Sequence, residues 1–234
     1  MKKSYPIDKS VIVSKMKAAF IHFVCSVLVF LLVLAWITWV LYPNFHFELN
    51  GVWYGLRLVA GVDLVLGPLI TLLVYHSAKS KREKVGDFTI AGMVQVVALI
   101  YGLHTMYQEH PRLIAFYDYG MAVTVTQREI SKEQFVLPEN LHEFGQLADV
   151  PIATIHKRNS TTHHAKLNLA DLKNADKMVR QTMVYDEDKQ ALADLEKQHG
   201  KLYVFGVMGK YQGVFVALDE QQNLIGTFGQ RDLH

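Results

Sequence analysis

The sequence predicts an α+β membrane protein: three transmembrane helices, then a small outer domain with an antiparallel sheet and two or so helices. Three observations predict it. Apolar runs cover about 18–42, 52–75 and 88–107, each long enough as a helix to cross a ~30 Å hydrocarbon layer. Lys and Arg cluster at 1–17 and at 76–87, while 43–51 has neither. Residues 108–234 change to mixed composition with turn signals between short apolar stretches.

The first run is expected to be a retained anchor rather than a cleaved signal peptide. It is longer than a signal-peptide core, and its end, Trp39-Val40-Leu41-Tyr42-Pro43, lacks small residues at cleavage positions. Lys2, Lys3, Lys9, Lys15 and Lys17 precede it, and Lys79, Lys81, Arg82 and Lys84 lie between the second and third runs. Basic flanks stay in the cytoplasm. The 1–17 segment and the 76–87 loop are therefore expected inside, with 43–51 and 108–234 outside. Trp36, Trp39, Tyr42 and Trp53 mark the outer boundary as interfacial aromatics do.

In the second run Asp63 lies about ten residues from either end. A carboxylate at that depth costs roughly 2.5–3.5 kcal/mol on insertion scales and is expected to face protein rather than acyl chains. It either organises this bundle or meets a polar group on a partner helix. Gly67-Pro68 follows, and a kink is expected one turn back, at Leu64. Gly51 with Gly55, and Ala98 with Gly102, pair small residues four apart, a spacing that lets helices approach closely. Gln95 can hydrogen-bond across helices, at a different depth from Asp63. Arg57 can snorkel to the outer boundary. His22 and Ser26 lie in the inner part of the first run.

In the outer part, 112–117 and 121–127 read as a hairpin turned at Asp118, Tyr119 and Gly120. Residues 134–149, broken by Pro138, are expected to loop around a short helix, and 151–156 reads as a short strand. Helices are expected at 169–182 and 186–199, the second stopped by Gly200. Strands at 202–207, 213–218 and 223–228 complete a meander. The sole cysteine, Cys25, lies in the first run, so no internal disulfide supports the outer domain.

Several function classes are disfavoured. Lys plus Arg number 24 against 22 Asp plus Glu, and no basic stripe suits nucleic acid. His163-His164 sits in a Ser/Thr-rich stretch read as a loop, with no zinc helix, nucleophile elbow or phosphate cradle nearby. No enzyme activity, cofactor or metal is expected, and no internal repeat suggests a transporter.

Gly61-Val-Asp-Leu-Val-Leu-Gly-Pro-Leu-Ile-Thr-Leu-Leu-Val, the basic loop, Asp87 and Gln95-Val-Val-Ala-Leu-Ile-Tyr-Gly-Leu resemble the type IV pilin accessory proteins, the TfpZ and FimB-like pilin chaperones. The resemblance is most specific over 61–103. It implies a non-enzymatic accessory protein or chaperone in a bacterial inner membrane, with the outer domain in the periplasm. Its partners would be a cognate type IV pilin, other pilus assembly proteins and membrane lipid. The partner-binding residues expected on this basis are Asp63, Gly67, Pro68, Gln95, Ala98, Gly102 and Arg57. A scaffold of the assembly platform that does not bind pilin, or a small membrane-anchored sensor, is the alternative.

Overall fold

A computed structural model describes residues 9–75, 79–117, 119–132, 135–158 and 161–233. Asp118, within the expected hairpin turn, lies outside them, as do Lys2, Lys3 and Ser160. The chain forms two compact bodies. One takes the residues up to Ile37 together with Trp53–Met106; the other takes Thr38–Val52 and the residues from Tyr107 onward.

The first body is helical. Helix α1 runs Lys9–Trp36 and continues as a π-helical turn, Ile37–Leu41. After the one-turn α2 (His46–Leu49), which belongs to the second body, comes α3 (Val52–Ala60), a π-helical stretch Gly61–Leu66, and α4 (Gly67–Val74). Helix α5 runs Lys81–Glu109. Three continuous segments, Lys9–Leu41, Val52–Val74 and Lys81–Glu109, are long and apolar enough to cross a membrane. Most of their large side chains face outward, among them Phe20, Leu32, Leu73, Val97 and Tyr101. That is the inverse of a soluble core and suits a lipid solvent.

Proline 68 is accommodated by the π-helical stretch. The Gly67 N–H bonds to the carbonyl of Val62, five residues back, so the turn widens just before the residue that cannot donate. The disturbance expected at Leu64 is therefore a π-bulge.

The second body is a mixed sheet with helices. Its strands are β1 (Pro111–Tyr117), β2 (Met121–Thr126), β3 (Gln146–Leu147), β4 (Val150–Arg158), β5 (Thr161–Lys166), β6 (Tyr203–Met208), β7 (Gln212–Leu218) and β8 (Leu224–Asp232). The order is β3-β4-β1-β2-β6-β7-β8, with β5 also paired to β4. The β1–β2 hairpin and the β6-β7-β8 meander are antiparallel, as expected from the turn spacing. Two joins, β1–β4 and β2–β6, are parallel, because the chain leaves the sheet between those strands and re-enters in the same sense. His163 and His164 stand on β5, opposite His156 and Ile155; the loop expected there is a strand.

Alternation along β1 separates two cores. Ile114 and Phe116 join Leu172, Ala175, Tyr203 and Phe205 under α7 (Leu169–Thr182). Leu113 and Ala115 join Val125, Ala153 and Ile155 on the other face, where Ile130, Phe135 and Phe144 cover them. Asn168 caps α7 through the N–H groups of Ala170 and Asp171. Helix α8 (Asp186–His199) ends at Gly200, whose φ of 83° suits the residue without a Cβ. Arg180 ties the two helices together, bonding Asp176 at 2.7 Å, Glu196 at 2.6 Å and the Leu202 carbonyl at 3.0 Å. Its carboxylate partner holds the guanidinium above its ordinary pKa, and Glu196 lies correspondingly low.

The 43–51 connection is part of the sheet domain. Leu49 is buried in the core beneath α7, and its carbonyl accepts the Tyr211 N–H at 3.0 Å. A Cβ on Gly209 would lie 2.5 Å from that oxygen, so the β6–β7 turn needs glycine for this approach. Gly51 has φ 64° and faces the Tyr211 ring. It is a turn glycine, and the helix-packing role expected from its spacing with Gly55 does not hold; Gly55 instead lies against Met106.

Candidate functional site

The polar side chains of the membrane helices converge around one glycine. On the second segment, buried residues recur at Val52, Leu56, Val59, Asp63, Gly67 and Thr71. Four residues turn about 400° in an α-helix, so a run of four-residue steps drifts around the axis. The wider π turns at Gly61–Leu66 reverse that drift and keep Asp63, Gly67 and Thr71 on one stripe.

Gly67 is the point of closest approach. A Cβ there would collide with the Gln95 amide of α5 and lie 3.1 Å from His22 Nε2 of α1. His22 Nδ1 and Thr71 Oγ share a hydrogen bond of 2.6 Å. His22 also lies near Asp63. Ser26, one turn beyond His22, is buried as well. Asp63 is 6% exposed, yet among the described residues its carboxylate forms no hydrogen bond or ion pair. The arrangement is a polar seam inside an apolar bundle, and Asp63 keeps a small accessible edge there.

The other expected residues divide. Gly102 is buried, and a Cβ would come 3.0 Å from Val59, so it sets the spacing of α5 against α3. Pro68 and Ala98 are half-buried on the same helices. Arg57 is exposed and does not join the seam. Gln95 meets Gly67, one turn past Asp63, and makes no direct bond with Asp63. Thr71 was not singled out from sequence, although its four-residue spacing from Gly67 and Asp63 was visible there.

In the sheet domain the unusual polar residue is His46, fully buried beside Phe45 at a ring separation of 4.5 Å. Neither ring nitrogen makes a hydrogen bond of good geometry, though the Leu147 carbonyl lies close enough to act on it. Burial pushes its pKa down to about 4 against weaker opposing effects of Leu147 and Asp149, so the ring is neutral at pH 7. Among the described residues no three metal-ligating side chains come together.

Three fimbrial assembly proteins of Dichelobacter nodosus are similar to this chain. Those of serogroups E1 and I are each 29% identical over 130 residues, 56% of this chain and 49% of theirs. The protein of serogroups C1 and C2 is 31% identical over 100 residues, 43% of this chain and 76% of its own. The chain belongs to the fimbrial assembly proteins. It spans about half the length of the first two fimbrial assembly proteins it matches. No family model and no solved structure matches it.

Proposed function

We propose that this protein is a non-enzymatic accessory protein of type IV pilus assembly that binds a cognate pilin in the bacterial inner membrane. The buried carboxylate of Asp63, without a hydrogen-bond partner among the described residues, carries the reading. Burying a polar group without a partner is costly in hydrocarbon, and a client helix bringing a donor would satisfy it. Helix α5 supports the idea: its wide apolar flank, including Ile90, Val94 and Val97, is exposed. The pilin helix docks along this seam, and the sheet domain meets the pilin head in the periplasm and supplies specificity. In this reading the N-terminal segment and the basic stretch from Lys79 to Lys84 are cytoplasmic. Desolvation and lost side-chain freedom keep such binding reversible, as a carrier that hands its client onward requires.

The test is co-purification of tagged full-length protein with its pilin in cells lacking the other assembly proteins. Wild type captures pilin; Asp63→Leu accumulates normally and captures about tenfold less, the loss of one charge-assisted hydrogen bond. Collapse of accumulation would make Asp63 structural, and unchanged capture would remove it from binding. Capture of platform proteins but never pilin would make the molecule a scaffold.

A further inference from the structure

A second polar site lies in the sheet domain, where the chain leaves the membrane segments. A pocket of about 280 Å³ is lined by Val40 and Leu41, by His110 and Arg112, and by Asp149 with its neighbours. Leu41 ends the first apolar segment and Glu109 ends the third, so chain connectivity alone places the pocket within a residue or two of both segment ends. Its lining carries one permanent cation, one carboxylate and one imidazole beside apolar side chains.

The three polar groups have spare capacity. Among the described residues the Arg112 guanidinium forms no ion pair or hydrogen bond. Asp149 Oδ2 accepts the Asn44 amide at 2.9 Å, and Oδ1 has no partner there. His110 Nδ1 bonds the Tyr107 carbonyl, so Nδ1 carries the proton and Nε2 is an acceptor in the neutral ring. Burial and the Arg112 charge both favour that neutral form.

We propose that this pocket holds the headgroup of a zwitterionic phospholipid of the phosphatidylethanolamine class. Arg112 offers a planar fork of donors, the geometry that fits phosphate oxygens. Asp149 and the acceptor nitrogen of His110 take the ammonium. Val40, which is exposed, meets the upper part of an acyl chain. An anionic lipid without the amine would leave the carboxylate facing a like charge, so the site discriminates between headgroups. The shared chemistry is a phosphate monoanion joined to a primary amine, and the source is the surrounding bilayer.

Full-length protein in detergent, titrated with phosphatidylethanolamine or phosphatidylglycerol and read by native mass spectrometry, tests this. Wild type retains one phosphatidylethanolamine about tenfold better than phosphatidylglycerol. Arg112→Gln loses retention of both by roughly tenfold, one charge-assisted contact. Asp149→Asn, which tolerates the same left-handed backbone, makes the two lipids equal; Arg57→Gln changes nothing. Equal retention of both lipids by wild type, or an unaltered Arg112→Gln variant with native melting behaviour, overturns the proposal. So does displacement of the lipid by inorganic phosphate at equal concentration, which would make the ligand a free anion. None of these readouts involves pilin.

Discussion

Two sites in the second body are held in costly states. Ala148 has φ 51° and Asp149 φ 65°, in a two-residue turn that pairs Leu147 with Val150. This turn requires both central residues in the left-handed region, and Asn is favoured at the first. Alanine there costs about 1–2 kcal/mol. Ala148→Asn is therefore expected to raise the melting temperature of the purified protein, by up to about 1 kcal/mol in stability; a lower melting temperature would show that Cβ contacts, not backbone strain, dominate. His46 is the other case. Its folded pKa of about 4 lies below the unfolded value near 6.5. Between those values the unfolded chain binds more protons, so stability falls as pH drops through that window. The loss by pH 4 is roughly 3 kcal/mol. His46→Leu should flatten the melting curve between pH 6.5 and 4 relative to wild type, while an identical slope would place the titration elsewhere, for example on His110 or His164, which burial also lowers.

At the scale of elements, glycines in the membrane helices separate into two kinds. Gly67 and Gly102 stand where a Cβ would meet a neighbour, whereas Gly61, Gly86 and Gly92 have open space around them. Gly67→Ala forces the Gln95 amide away and is expected to cost about 1–3 kcal/mol by overpacking. Gly92→Ala removes backbone freedom without a clash and should be neutral or gain up to about 1 kcal/mol. Thermal unfolding in detergent compares the two, and equal effects would mean that α5 does not rest on Gly67. This division was only partly legible in the sequence. Four-residue spacing of small residues pointed to Gly102 correctly and to Gly51 wrongly, because spacing cannot distinguish a helical glycine from one with positive φ in a turn. Helices α7 and α8 and the β6-β7-β8 meander could be read from periodicity, since each buries one face against a nearby neighbour. The parallel joins could not, because they pair strands far apart in sequence. Strand β5, with its adjacent histidines, carries no apolar alternation, so its pairing with β4 was invisible. The π-helical stretch was likewise hidden: Gly67-Pro68 announces a disturbance, but its form depends on which carbonyls the neighbours leave free.

For the whole molecule, the decisive feature is that residues on either side of the second and third apolar segments share one body. Leu49, from the connection before them, is packed with Tyr203 and Phe205 from the sheet after them. A chain that leaves and returns to the same body through two segments, each about one bilayer long, must cross an even number of times between those points. The 43–51 connection and the sheet domain are therefore expected on one side, and the basic stretch from Lys79 to Lys84 on the other. Charge predicts which is which: that stretch holds Lys79, Lys81, Arg82 and Lys84, and short basic flanks of this kind are expected in the cytoplasm. Single cysteines placed in a Cys25→Ser background test both steps in intact cells with a membrane-impermeant maleimide. Glu48→Cys and Lys201→Cys are expected to label together in cells whose outer membrane alone is permeabilised, with Lys81→Cys labelled only after the inner membrane is opened. Labelling of Lys81→Cys with the other two protected would invert the orientation and leave the shared body intact. Labelling of Glu48→Cys without Lys201→Cys would break the even crossing itself, and with it the idea that one face of this protein meets a client's helix while another meets its head.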